Sequence, residues 1–590
     1  MKNCTLIISF FLLVSCNTDS NISNFSDNFG DIRKAKGYYQ EGDKKFKIFR
    51  GGTFRTNETN PFKSLFPVSI NHAVSSRIAT QVYQGLVKLD QRTLKVKPLL
   101  AKEYKVSEDG KIYTFTLNDS VFFHDDPCFY GGKGRIMNAY DIKFCFDMLC
   151  SAIENNTTSD YLTEIIVGAN DYYDATVNGK YSEKGVDGIR VIDDRTIEIE
   201  LISSYSYFLK ILSQPCCTIY PKEAYEMYGN NLKSHTVGTG PFTLKNKDID
   251  EKSSLKMFRN FNYWQKDENG NQLPYIDIIQ ITFNKNKKKE LNDFKKGKLD
   301  MVYQLPFEDL NEVLVSLDSA KIGGNPEFKL QSNKEGGLST SYYCFNMLNP
   351  IFQNRDVRTA FNLAIDREKI TKYTLHGEAD PAINGLVPSL GKYNYIKVKG
   401  FEYDPEMAKK LLKKAGYPNG EGFPTIELDI NESNYLNEKV AIAVQKMLLQ
   451  NLGVIVKINY LNSSSLIDKF NNGKSDFWSI TWIADYPDQQ NFLQTFNGAI
   501  VPPKDEPSFT NHSRYQNIIF DKFYFEAIHA KDQKSALLNY AKADSVLIAD
   551  AAFLPLYYGH KIRLLQNNVR GFPINSMEYR DFTKVFLSKN

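Results

Sequence analysis

The chain has 590 residues, with 73 Lys and Arg against 69 Asp and Glu, a formal net charge of +4 and 42% hydrophobic residues. That mixture belongs to a folded globular protein and excludes a disordered, collagenous or coiled-coil chain. The near-neutral balance also argues against a nucleic-acid or anionic-membrane binder, which carries a basic excess, and at roughly 150 residues per domain the length suggests about four nominal units, or two to three large ones.

The first element is a leader. Residues 1–20 read MKNCTLIISFFLLVSCNTDS, in which Lys2 gives a positive start and residues 6–14 are apolar apart from Ser9. This run is shorter than the about 20 helical residues that cross a hydrocarbon layer, so residues 1–15 read as an export signal. Leu13-Val14-Ser15-Cys16 resembles the bacterial lipobox, whose cysteine becomes a lipid-bearing N-terminus. An ordinary export signal with an incidental cysteine is the alternative. Residues 16–45 are rich in Asn, Ser, Asp and Gly and read as a flexible tether.

From Phe46 onward short strands and helices follow. Residues 112–117 alternate, with Tyr113, Phe115 and Leu117 on one face, and residues 194–202 repeat the pattern through Ile197, Ile199 and Leu201. A helix is predicted to begin near Ala139. In the second half, Val357, Ala360, Phe361 and Ala364 keep helical spacing. Asp404 is placed to cap a helix opened by Pro405, with Ala408, Leu411, Leu412 and Ala415 as its stripe and Gly416 as its stop. A helix at about 438–451, a strand at 454–460, a short helix ending at Gly473 and a strand at 477–483 come next. Helices at about 516–530 and 533–549 and a strand around 553–558 complete the series. The alternation predicts α/β units around a largely parallel sheet, with no repeat architecture.

Signals for catalysis or metal binding are missing. The sequence holds no G-x-S-x-G, no H-E-x-x-H and no complete phosphate loop. Cys128, Cys145, Cys150, Cys216, Cys217 and Cys344 form no C-x-x-C pair, and no histidine pair has zinc spacing. Mostly buried free thiols are expected, with room for one bridge. No catalytic residue, metal ligand or cofactor is assigned. The stretch FWSITWIADYPD, residues 477–488, stands apart: a strand runs into Asp485 just past its carboxyl end, where open α/β sheets bind ligands. Between Trp482 and Tyr486, such an acid is placed to meet a cation. A loop aspartate capping the next helix is the plainer alternative.

Several segments, in order, resemble one family. Val82–Val87 (VYQGLV) resembles an early "YEGL" motif, and Leu100–Tyr104 with Glu108–Leu117 resembles "LAesW…DGktytFhLR". Val237–Phe242 (VGTGPF) is close to "VGTGPY", and NRDVRTAFNLAIDR at 354–367 resembles "d.rVR.Al..AiDR". YDPEMAKKLLKKAGYP at 403–418 and WIADYPDQQNFL at 482–493, which resembles "WgaDYpDPdnFL", complete the set. The chain is thereby identified as similar to the bacterial extracellular solute-binding proteins of family 5, the peptide-binding receptors of ABC transporters. Gln489 departs from the family proline, and residues 126–136 and 159–184 look longer than usual.

The resemblance implies a two-lobed α/β fold of the periplasmic-binding-protein type (type II, venus-flytrap), with a domain inserted in lobe I. Mapped here, lobe I takes about 46–82, 196–335 and 551–590, the inserted domain about 83–195 and lobe II about 336–550. It further implies a peptide held between the lobes, its ammonium on Asp485 and its backbone read near 66–70 and 480–484. Ala484, Trp482, Tyr486, Tyr557 and Tyr558 would line the pocket, and Arg514 would stand near the ligand carboxylate. The expected partners are a peptide, a membrane permease and the membrane itself through a lipid on Cys16, for a monomer on the periplasmic or exterior face. No nucleic acid and no cofactor are expected. The alternatives are the same scaffold holding an oligosaccharide, nickel chelate or haem, an exported hydrolase, or a signalling module.

Overall fold

The computed structural model describes residues 30–303, 328–333, 336–395, 398–432 and 435–589. The expected signal at 1–15 and Cys16 lie outside them. The expected tether does not extend to residue 45, because strand β1 (Arg33–Glu41) pairs antiparallel with β2 (Lys44–Arg50). Ile48 and Phe49 of this hairpin pack on Tyr263, Leu273, Tyr275 and Phe586, so it is part of the folded body.

β3 (Thr53–Glu58) opens lobe I and leads to helix α1 (Ala73–Val82). In the inserted unit β4 (Ala101–Val106), β5 (Ile112–Leu117), β6 (Ile189–Asp193) and β7 (Thr196–Glu200) form an antiparallel sheet in the order β4-β5-β7-β6. Ile197 faces Phe115 and Ile199 faces Tyr113 in the β5–β7 register, so the insertion runs through Glu200 rather than ending at 195. It shares one core with lobe I, since Phe115, Phe146 and Ile197 join Phe54, Val82 and Ile279 in a single apolar cluster. In lobe I, β8 (Ser254–Arg259) pairs with β9 (Ile278–Phe283), which runs parallel to β3. β10 (Met301–Tyr303) and β11 (Phe328–Ser332) follow.

Lobe II is built on six strands: a short edge Ala379–Pro381, β16 (Phe553–Gly559), β12 (Ser339–Phe345), β15 (Phe477–Ile483), β13 (Ile426–Asn431) and β14 (Val456–Leu461). β13 lies parallel to β14 and β15, as expected for crossover units. β12 is antiparallel to both neighbours, so the sheet is mixed rather than largely parallel. The reason is connectivity, because β12 enters this sheet directly from the other lobe and not through a crossover helix. Asp404 caps its helix as predicted, accepting from the Met407 amide at 2.9 Å.

β17 (Ile562–Gln566) lies between β10 and β11 in lobe I. The chain therefore crosses between lobes twice, from β11 to β12 and from β16 to β17, and lobe II keeps the chain to Gly559 rather than to 550. The crossings are bonded to each other: Gly337 N donates to Gly559 O at 2.7 Å and Asn333 N to Lys561 O at 3.1 Å. The six cysteines among the described residues are free, with the Cys216 and Cys217 sulfurs 3.9 Å apart. Among the described residues no helix is long and apolar enough to cross a membrane.

Candidate functional site

The crevice between the lobes is organised at the end of β15. Beyond Ile483, Ala484 N donates to Leu338 O at 3.0 Å, the last rung before the chain leaves the sheet. Buried Asn491 then fixes the turn. Its Oδ1 accepts from Asp485 N and from Trp482 Nε1, both at 3.1 Å, and its Nδ2 donates to Asp485 Oδ2 at 3.3 Å. Asn491 lies within the motif around 482–493, yet reading the sequence did not single it out.

Asp485 keeps its carboxylate open to the crevice while protein crowds it from both lobes. That partial desolvation raises its pKa; the Asn491 amide pulls the value down, and the charge of Asp160 pushes it up. Asp160 sits in the turn Asp160–Thr163, inside the stretch that looked longer than the family's, and burial raises its pKa too. Tyr161 stands beside both acids. Among the described residues, neither carboxylate has a cation as ion-pair partner.

The two lobes touch close by. Lys210 of lobe I forms an ion pair with Asp488 of lobe II, whose side chain is only 4% exposed. Tyr207 stacks on Tyr486 with centroids 6.3 Å apart and planes 6° apart, and the Tyr486 hydroxyl donates to Gln490 Oε1 at 2.5 Å. Ser206 N donates to Ile528 O at 3.0 Å, and His529 Nδ1 bonds Ser204 O at 2.9 Å. Behind the ion pair lies a cavity of about 380 Å³ lined by Tyr113, Ser206, Lys210, Asp488 and Tyr540. Tyr486, expected as a pocket wall, is thus buried in the lobe–lobe contact.

The other expected residues separate. Ala484 and half-buried Trp482 flank Asp485. Tyr557 and Tyr558 are successive on β16 and point to opposite faces. Tyr557 lines a narrow crevice with Ser341 and Thr481, whereas the Tyr558 hydroxyl donates to Gly385 O at 2.5 Å inside lobe II, so Tyr558 is no crevice wall. Arg514 is 4% exposed and donates to Asn471 O at 3.0 Å and Glu506 O at 2.8 Å. It packs on Gly473, before β15 begins, and so lies about 20 Å of strand away from Asp485. Arg514, expected near a ligand carboxylate, is thus engaged with backbone oxygens of its own lobe. Among the described residues, no group of three or more His, Cys, Asp or Glu could hold a metal ion.

Residues 95–500 match the family described as bacterial extracellular solute-binding proteins, family 5 Middle. The periplasmic oligopeptide-binding protein OppA of Salmonella typhimurium is 27% identical over 529 residues, covering 88% of this chain and 89% of that protein. The glutathione-binding protein GsiB of the same species is 27% identical over 520 residues, covering 87% and 90%. Among solved structures, the oligopeptide-binding OppAIV of Borrelia burgdorferi superposes with a TM-score of 0.72 at 26% identity, covering 91% of this chain and 99% of that one. DppA of Helicobacter pylori, in complex with the peptide STSA, gives 0.72 at 24% identity, covering 92% and 99%.

Proposed function

The chain belongs to the bacterial extracellular solute-binding proteins of family 5, which bind solutes rather than transform them, and on that premise we propose that it captures peptides between its lobes and hands them to an ABC-transporter permease. Asp485 carries the reading. A carboxylate open to the crevice, held by Asn491, partly desolvated by the lobes around it and without a cation among the described residues, is placed to take one from the ligand. A peptide's α-ammonium meets that demand with a charge and three N–H donors. Asp160 strengthens it, since two facing acids repel until a cation lies between them. The Lys210–Asp488 pair and the Tyr207–Tyr486 stack would then hold the lobes shut over the ligand. The lipobox-like Leu13–Cys16 supports attachment of a monomer to a membrane through Cys16, on the periplasmic or exterior side.

Native mass spectrometry of the protein as purified, before and after partial denaturation, tests this. A ladder of short peptides is the expected release. Asp485→Ala should weaken their capture by about 30- to 150-fold, the worth of a hydrogen-bonded charge of about 2–3 kcal/mol. A sugar, chelate or haem mass, or unchanged capture by the variant, would overturn the reading.

A further inference from the structure

A second concavity lies on lobe II, away from the crevice. The helix Tyr435–Leu452, which connects β13 to β14, and the turn Ile370–Thr374 border a groove of about 480 Å³. Lys369, Tyr373 and His376 line one wall, and Lys439, Lys446 and Met447 line the other. Asn437 of the same helix lines the narrow opening beside Tyr557; Lys446 comes about two and a half turns later and so projects from the opposite side. No Asp, Glu or Arg is among the described residues that line the groove. Lys369 and Lys446 are exposed, and neither makes an ion pair among the described residues. The chain as a whole is near neutral, at +4 over 590 residues, so this basic excess is local.

The backbone of the first wall is unusual too. Ile370–Thr374 is a π-helical turn, and His376 follows it at φ +52°. Both conformations cost free energy that a plain helix end would not, and both concentrate where a site is shaped. Tyr373 is 63% exposed, with the Lys372 amine 5.3 Å from its ring centroid. A ring that open is a platform rather than part of a core. The kind of cation then selects the anion. A carboxylate is best held by the planar fork of an arginine, which the groove lacks. Lysines are point charges with three rotatable donors, and several of them around one centre suit a tetrahedral, doubly charged phosphate. Tyr373 and Met447 add apolar surface for an organic body beside that charge.

We propose that this groove is a second binding site, for a small phosphate ester, with Lys369 and Lys446 neutralising the phosphate from opposite walls and Tyr373 carrying the organic part. A phospholipid headgroup and a free phosphate ester offer the same chemistry. The site goes beyond peptide capture and does not depend on it. All its lining residues belong to lobe II, so it is present whether the lobes are open or closed, and occupying it does not require closure. Phosphate binding and peptide capture are therefore independent of each other.

Calorimetry at low ionic strength titrates the intact protein with glycerol phosphate, and with acetate as the control anion. The expected result is saturable binding of glycerol phosphate, about tenfold or more tighter than acetate, and about tenfold or more weaker in the double variant Lys369→Gln, Lys446→Gln. Lys446→Arg, which keeps the charge, should retain most of the binding. Absence of binding, equal binding of acetate, or undiminished binding by the double variant would each overturn the phosphate site. Flotation with vesicles of phosphatidylcholine, with and without phosphatidylglycerol, separates the two sources. Wild type and double variant share one N-terminus, so a wild-type excess on phosphatidylglycerol vesicles reads the groove and assigns a lipid headgroup. No excess there, with glycerol phosphate still bound, assigns a free ester. Peptide capture and melting temperature should be the same in both proteins, and failure of the wild type to capture peptides would leave the phosphate result standing. Should the double variant not fold, the wild-type comparison with acetate decides alone.

Discussion

Beyond β15, Asp485 of lobe II feels the charge of Asp160 of the inserted unit, and among the described residues neither has a cation as ion-pair partner; at the crossings, three arginines share Glu58 and Glu578. The two regions differ in how they are assembled as well as in sign. The acid corner draws one carboxylate from each side of the crevice, so it exists only when the lobes come together, and its repulsion opposes closure of the empty protein. The basic cluster lies in lobe I and in the crossings, so it stands ready before closure. A ligand's ammonium turns the repulsive contact at Asp485 into a bridge. Charge placed across the moving interface couples closure to ligand; charge paired within one lobe and its crossings holds those strands together.

The largest expected break in this scheme comes from the lobe–lobe ion pair. Lys210→Ala leaves Asp488, 4% exposed, without its cation in the closed form. Stranding a buried charge costs about 3–5 kcal/mol, part of which water entering the crevice would offset, so peptide Kd should rise by roughly 10- to 100-fold. Calorimetry measures the loss, and small-angle scattering should show a larger radius with ligand present. Unchanged affinity and radius would mean that closure does not run through this pair.

A smaller effect sharpens the acid corner. Asp160→Asn removes the repulsion and should tighten binding of peptides with neutral first side chains by about threefold at pH 7.5, while weakening those that begin with Lys or Arg, on the scale of about 1 kcal/mol for partly solvated charges. The sign with pH follows from the raised pKa of Asp485. A carboxyl whose value is raised takes up its proton earlier as pH falls, and a protonated Asp485 no longer pairs with an ammonium. Wild-type affinity should therefore fall as pH is lowered through the raised value of Asp485, above the pH at which an ordinary aspartate takes up its proton. In Asp160→Asn the fall should begin at lower pH, because one cause of the upward shift is gone. In the empty protein the linkage has the opposite sense: a raised carboxyl favours the folded state most at low pH, and that contribution is lost as pH rises through its folded value. Identical pH profiles for the two proteins would separate Asp160 from the site.

How much of this was legible in the sequence depends on how local each feature is. β15 and Asp485 could be read because strand alternation, a turn and a familiar string coincide within 12 residues. The helix after Asp404 could be read because its cap, first-turn proline and terminating glycine are all local. The hairpin at 33–50 could not, since RKAKGYYQE is polar on both faces and a thinly buried strand carries no strong apolar period. Lys210 and Asp488 are 278 residues apart, and nothing in either neighbourhood announces the other. The hinge cluster is more distant still, joining positions 58, 77, 563, 578 and 580 only after β10, β11 and β17 have paired. Asn491 illustrates a third case: its position was visible within the motif, but its role as a three-way amide bridge is a property of the folded turn.

The smallest expected effect tests the line between crevice wall and scaffold. Resemblance put Tyr557 and Tyr558 together in the pocket, but neighbours on a strand face opposite ways, and Tyr558 lies 7% exposed under the 385–387 segment with its hydroxyl on Gly385 O. Tyr558→Phe should leave peptide affinity within about twofold while lowering unfolding free energy by about 1 kcal/mol, the usual net worth of one buried hydrogen bond. Denaturant melts and calorimetry on the same sample read both quantities. A loss of affinity without a loss of stability would return Tyr558 to the crevice and mean that the 385–387 segment moves aside when ligand enters. The expected converse, stability lost and affinity kept, assigns Tyr558 to holding that segment against the sheet, and leaves ligand recognition to the crevice around Asp485.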